Sequence, residues 1–173
     1  MATGTILLSV GGAVLPDGSA TNLAPALQRR KSSGTAPAPY FLELWFDAAT
    51  EEWAAWSFRM PADFASGPVL KVQYKMASAT SGDVVWAGSI AAVTDGDATD
   101  VDAKVFATAN TATVTVPGTA GYIDEASITM TNADSAAAGD FVVVRIARQG
   151  AAGGDTATGD AEFVGAALTY TTT

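Results

Sequence analysis

The densest set of side chains able to do chemistry is Asp95, Asp97, Asp100 and Asp102, in the run TDGDATDVDAK. Closely spaced carboxylates on a glycine-bearing loop are what a calcium ion takes as ligands, because it collects several oxygens at once. The spacing departs from the EF-hand pattern, and no glutamate closes the loop. The simpler reading is a solvated inter-strand loop, kept in water by its charges. These four aspartates stand as the metal candidates, and no other cofactor is implied.

Paired carboxylates can hydrolyse a glycosidic bond when held at a fixed separation. Glu51 with Glu52 and Asp124 with Glu125 are neighbours in sequence. Both pairs read as solvated charge, at a hairpin and at a strand edge. The chain has no His and no Cys. The Ser-His-Asp triad, the usual general base and thiolate metal sites are therefore unavailable. No catalytic residue is assigned, and the chain reads as a non-enzyme.

Aromatic faces stack on sugars, which singles out Trp45, Trp53, Trp56 and Trp86. Trp56 and Trp86 fall on apolar alternations and read as core. Trp45 and Trp53 fall on the opposite parity from Leu44 and Trp56. They flank what reads as one hairpin, AATEEW, and would pair across it. There they would meet a sugar, or lie beneath the N-terminal segment or a neighbouring subunit, with burial by protein the favoured reading.

The elements that must position these residues are strands. Short runs rich in Thr, Val and aromatics are broken by Gly, Asp, Ser and Pro, and no long helical period occurs. Residues 1–38 read as an extended N-terminal arm, with a short strand at ILLSVGG and a brief helical turn at APALQR. Residues 39–173 read as an antiparallel two-sheet β-sandwich of jelly-roll type, with eight core strands. In PVLKVQYKMAS, Leu70, Val72, Tyr74 and Met76 face the core, and Lys71, Gln73 and Lys75 face out. Trp86, Ile128, Val144, Ile146 and Leu168 join the core on the same grounds, and the last strand turns Val164, Ala166, Leu168 and Tyr170 inward. DAKVFATA and ATVTVP read as a short pair or one broken strand. DVVWAGSIAAV and FVVVRIA are apolar on both faces, so the arm or another subunit is expected to cover them.

The 173 residues carry a formal net charge of −9, with only 16% charged. Residues 1–38 hold three basic residues and one acidic; residues 39–173 hold six basic and seventeen acidic. An acidic body repels phosphate backbones, which argues against nucleic acid. The cluster Arg29, Arg30 and Lys31 suits a solvated loop or a contact to an acidic partner. No apolar run is long enough to span a bilayer as a helix. TILLSVGGAVL has no preceding basic residue and makes a poor secretion signal. Ile6, Leu7, Leu8, Arg29, Arg30, Lys31, Trp45 and Trp53 are the candidate interface residues.

Two stretches, MPADFASGPVLKVQYKMASATSGDVVWAGSIAAVTDGD and GTAGYIDEASITMTNADSAAAGDFVVVRIARQGAAGGDTATGDAEFVGAALTYTT, resemble a family of tailed-phage structural proteins. The shared features are a Pro-x-Asp-aromatic turn, a lysine-alternating strand, a Ser-Gly-Asp-Val-Val-Trp turn and strand, and a closing GDAE…YTT strand. The resemblance covers roughly residues 55–172. It implies a jelly-roll virion component on the capsid exterior. The expected role is a head decoration or cement protein, a homotrimer bridging capsomers of the major capsid protein, away from any membrane. The alternative is a tail-fibre or receptor-binding module that recognises a host surface glycan.

Overall fold

Alternating apolar residues can be satisfied only where two sheet faces meet, and the computed structural model, which describes residues 2–173, is built that way. Its strands are β1 (Thr3–Leu8), β2 (Ala26–Lys31), β3 (Tyr40–Phe46), β4 (Glu51–Arg59), β5 (Phe64–Met76), β6 (Asp83–Val93), β7 (Asn110–Thr115), β8 (Asp124–Thr129), β9 (Phe141–Gln149) and β10 (Ala161–Thr172). The first sheet runs β2-β3-β10-β5-β8, with β1 also paired to β10. The second runs β4-β9-β6-β7. From β3 to β10 the chain alternates between sheets, except that β6 and β7 are neighbours. This two-sheet antiparallel arrangement is a jelly roll.

The core lies between the sheets. Leu70, Val72, Tyr74 and Met76 of β5 are buried, as are Trp86, Ile128, Val144, Ile146 and Leu168. Phe46 packs edge-on to Trp86 at 5.2 Å and to Phe163 at 6.2 Å, a favoured geometry for ring quadrupoles. In β10 the inward parity changes along the strand. Ala161 and Phe163 face in, and so do Ala166, Leu168 and Tyr170, because the register slips between Phe163 and Gly165. A bulge of this kind flips every later side chain, and it leaves Val164 only half-buried.

Several expectations differ from what the structure shows. AATEEW is no hairpin: β3 and β4 belong to different sheets. The Asp47 carboxylate accepts the N–H groups of Ala49 (2.6 Å) and Thr50 (3.0 Å), and Glu52 accepts the N–H of Asp47 (2.8 Å). These bonds turn the chain across the sandwich instead of back alongside itself. DAKVFATA forms no strand, only a short 3-10 turn at Val101–Ala103 and irregular chain before β7. The first 38 residues, expected as an extended arm with a short strand, contribute two strands to the first sheet. Within them β1 pairs along β10, β2 pairs along β3, and Val14 bridges Ala55 between the two strands. APALQR suggests a brief helical turn, but from Ala26 onward it pairs to β3 as strand, a tertiary override of weak local propensity.

Strands β6 and β9 are apolar on both faces, and segments of the chain itself lie against the second sheet. Residues 14–23 run along the free edge of β4, where Trp53 donates its backbone N–H to Leu23 O (3.0 Å), and Thr21 O reaches the outward Trp53 indole. The 101–106 segment lies over Ala91, Val93 and Val143. The 150–157 loop reaches β6, where Thr156 and Ala157 both donate to Asp83 O.

That loop is held by Arg148, which is wholly buried in β9. Its Nε and Nη2 donate to the two oxygens of Asp155 (3.0 and 2.8 Å). Nη2 also reaches Ala157 O (2.9 Å), and Nη1 reaches Phe46 O (3.2 Å) and Gly159 O (2.8 Å). All five guanidinium N–H groups have partners. Asp155 in turn accepts the N–H of Val85 (3.0 Å).

Removing one member of such a pair strands a buried charge. Arg148→Met is expected to cost about 3–5 kcal/mol in urea denaturation. Arg148→Met with Asp155→Leu should recover only part of this, because three carbonyls stay unpartnered. A loss under about 1 kcal/mol in the single variant would show the pair to be peripheral. Tyr74 gives a second test. Its hydroxyl donates to Asp124 (3.0 Å). Burial first, and then the Asp124 charge, hold the phenol well above its ordinary 10.0. A raised folded-state pKa contributes stability that is complete below the unfolded value and lost as pH rises past it. Stability should therefore fall above about pH 10, and less steeply in Tyr74→Phe. Identical alkaline profiles would remove Tyr74 as the cause.

Candidate functional site

On the outer face of the second sheet the covering segments leave a gap. Residues 20–23 form one wall, Phe106 another, and residues 49–51 with Ala151 close the end. Trp53 and Arg145 form the floor. The open cleft has a volume of about 640 Å³, within the usual range for small-ligand sites.

Each part has a local cause. Trp53 of β4 and Arg145 of β9 share the outward parity, and their backbone partners are Ala147 and Ala55. Diagonal neighbours on antiparallel strands are within reach of long side chains. The Arg145 guanidinium lies over the indole, 5.4 Å from its ring centre, and pairs with Glu51. Arg145 Nε is buried with no hydrogen-bond partner. The Trp53 Nε1–H donates to Thr21 O (3.2 Å), and Phe106 meets the indole edge-on at 6.2 Å. The 18–22 turn holds that wall: Gly18 N donates to Asn22 O and Asn22 N to Ser19 O. Asp17 accepts from Ser19 Oγ (2.7 Å) and Ser19 N (3.0 Å), and these bonds hold its carboxyl below the ordinary value. At the end wall, Gly150 lies so close to the 47–50 loop that a Cβ would sit 2.7 Å from Ala48 C. Only glycine permits that approach. Burial pushes the neighbouring Glu52 carboxyl above its ordinary value, against the lowering effect of the Asp47 N–H.

Trp45 lies on the outer face of the opposite sheet, so the two tryptophans share no site. Its Nε1–H donates to Glu43 (2.9 Å), and Arg30 lies 5.3 Å from its ring centre. Glu43 belongs to a buried charge group: Lys75 Nζ lies 2.7 Å from Glu43 and also pairs with Glu162. This group pins the indole against its own strand. Leu8 is buried and offers no interface, Ile6 packs against the core, and Leu7 is exposed. Arg29, Arg30 and Lys31 are exposed on β2.

Asp95, Asp97, Asp100 and Asp102 form no metal cage. Among the described residues no group of three or more acidic, His or Cys side chains is placed to hold an ion. The Asp100 carboxylate instead caps the 3-10 turn by accepting the Asp102 N–H (3.0 Å). Among the described residues no helix is long and apolar enough to cross a membrane. Sequence patterning does not single out Phe106, Arg145 or Asn22 as site residues, and Glu51, which reads there as solvated charge, lines the cleft. One signal was present: an arginine on the non-core parity of FVVVRIAR is out of place on an apolar face.

No family model and no curated protein matches the chain. The resemblance to tailed-phage proteins accordingly gains no support there. Solved structures similar to this chain include a CBM35 from Cellvibrio japonicus Abf62, with TM-score 0.48 and 11% identity over 95% of this chain and 92% of that one. The C-terminal CBM6 of LamC, a marine laminarinase from Zobellia galactanivorans, gives TM-score 0.43 and 8% identity over 96% and 99%. A CBM28, a carbohydrate-binding module specific for non-crystalline cellulose, gives TM-score 0.44 and 14% identity over 93% and 86%. Likenesses this distant say nothing of what this chain binds.

The Glu51–Arg145 pair is partly exposed, so its contribution is small. Glu51→Gln should change stability by less than about 1 kcal/mol in thermal unfolding. A larger loss would make the pair a structural brace instead of a wall of the cleft.

Proposed function

We propose that the chain is a non-catalytic binding module that takes a carbohydrate in the Trp53 cleft. One observation carries this reading: in an open cleft the Trp53 indole, with the Arg145 guanidinium over its ring, lies among a carboxylate, an amide and hydroxyls. A sugar has apolar C–H faces and a rim of hydroxyls that both donate and accept. The indole suits the first and Glu51, Arg145, Asn22, Thr21 and Thr50 suit the second. The sequence supplies no His or Cys for acid–base or nucleophilic chemistry.

A second reading, a virion protein outside the head that binds the major capsid protein, is favoured by a different observation. Charged residues are few, at 16%, and Leu7, Tyr122 and Ile123 stand 79%, 65% and 57% exposed. A shell-wide role requires a copy number comparable to the capsid protein in purified particles. A few copies per particle would exclude it.

A glycan array with wild type and Trp53→Ala separates the two. Carbohydrate binding by wild type, weakened at least about tenfold in a Trp53→Ala variant with unchanged circular dichroism, is the expected result. Array silence, or binding that survives the substitution, would overturn the cleft assignment.

A further inference from the structure

The β2–β3 ribbon is the part of the first sheet that the second sheet leaves uncovered. Leu44 and Phe46 are wholly buried, yet Leu42 and Tyr40, on the same face of β3, are 40% and 61% exposed. The register sets Leu27 beside Leu44, Arg29 beside Leu42 and Lys31 beside Tyr40. One face of the overhang therefore alternates apolar and cationic groups, with Arg29 5.9 Å from the Tyr40 ring centre. Among the described residues Arg29 and Lys31 form no ion pair, whereas Arg30 is turned toward Glu43. Among the described residues no strand lies beside the outer edge of β2.

What covers such a surface must be acidic and partly apolar. Without Arg29, Arg30 and Lys31 the chain holds six basic and eighteen acidic residues, a net −12. The exposed segment after β6 carries Asp95, Asp97, Asp100 and Asp102, interleaved with Val101 and Val105, which are 51% and 77% exposed. It matches the ribbon in both charge and apolar content. Two β2 edges paired with each other would bring Arg29 and Lys31 of both copies together with no carboxylate of their own to pair with, which disfavours a two-fold edge-to-edge dimer.

We infer that the chain self-associates head to tail, the β2–β3 ribbon of one copy seated on the acidic 95–105 segment of the next. Contacts of this kind are heterologous and build rings or filaments. The attraction is electrostatic and weakens as salt is added.

Sedimentation velocity over a range of protein and salt concentrations tests this. Wild type should associate at low ionic strength and dissociate at high. Arg29→Glu/Lys31→Glu and Asp95→Lys/Asp97→Lys should each weaken association about tenfold or more, because like charges then face each other. Arg30 and Asp100 are left in place because each has an internal partner. An equimolar mixture of the two variants should associate again. Should a charge reversal disturb the fold, Arg29→Gln/Lys31→Gln replaces it, with weakened association expected. A wild type monomeric at low salt, variants that associate unchanged, or a mixture that stays monomeric would each overturn the inference. So would a monomeric wild type whose ribbon binds a different acidic protein.

Discussion

The guanidinium of Arg148 organises more of this molecule than any other single group. It is buried, and it is fully bonded to a carboxylate and three carbonyls. Those acceptors belong to the end of β3 and to the 155–159 loop, while Asp155 also binds β6. Both sheets are thereby tied at one corner. A buried ion pair adds little stability over a well-packed apolar group. Its value here is geometric, since five fixed donors define where three carbonyls and the Asp155 carboxylate must lie.

The same constraint shapes the outer face of the second sheet. Strands β6 and β9 are apolar on both sides, so an uncovered sheet would expose a large apolar patch. Three segments supply the cover: residues 14–23, 101–106 and 150–157. The cleft over Trp53 is the remaining gap, lined by parts of all three. Its existence follows from how the sheet is covered, and Arg148 fixes one of the covering segments.

Charge is segregated in a way the fold explains. Lys75, Glu43 and Glu162 form an internal group on the first sheet, and Arg145 pairs with Glu51 in the cleft. The cations of β2 lie on a ribbon beyond the sandwich. Basic side chains on an edge strand also discourage edge-to-edge pairing. The body around them is acidic, which keeps like copies apart except where the ribbon meets it.

The sequence alone determined the fold class and the core. Alternation in β5, β6, β8 and β9 is a local signal with a period of two, and it names inward residues without reference to any partner. Only the tertiary structure decided which strands are neighbours. Asp47 sends β4 to the opposite sheet, so Trp45 and Trp53 part company, although seven residues separate them. A bulge after Phe163 reverses the parity of β10, and pairing with β3 turns a helix-prone APALQR into strand. The cleft was illegible for the same reason. Its lining comes from residues 20–23, 49–51, 53, 106, 145 and 151, brought together by non-local contacts that no local pattern encodes.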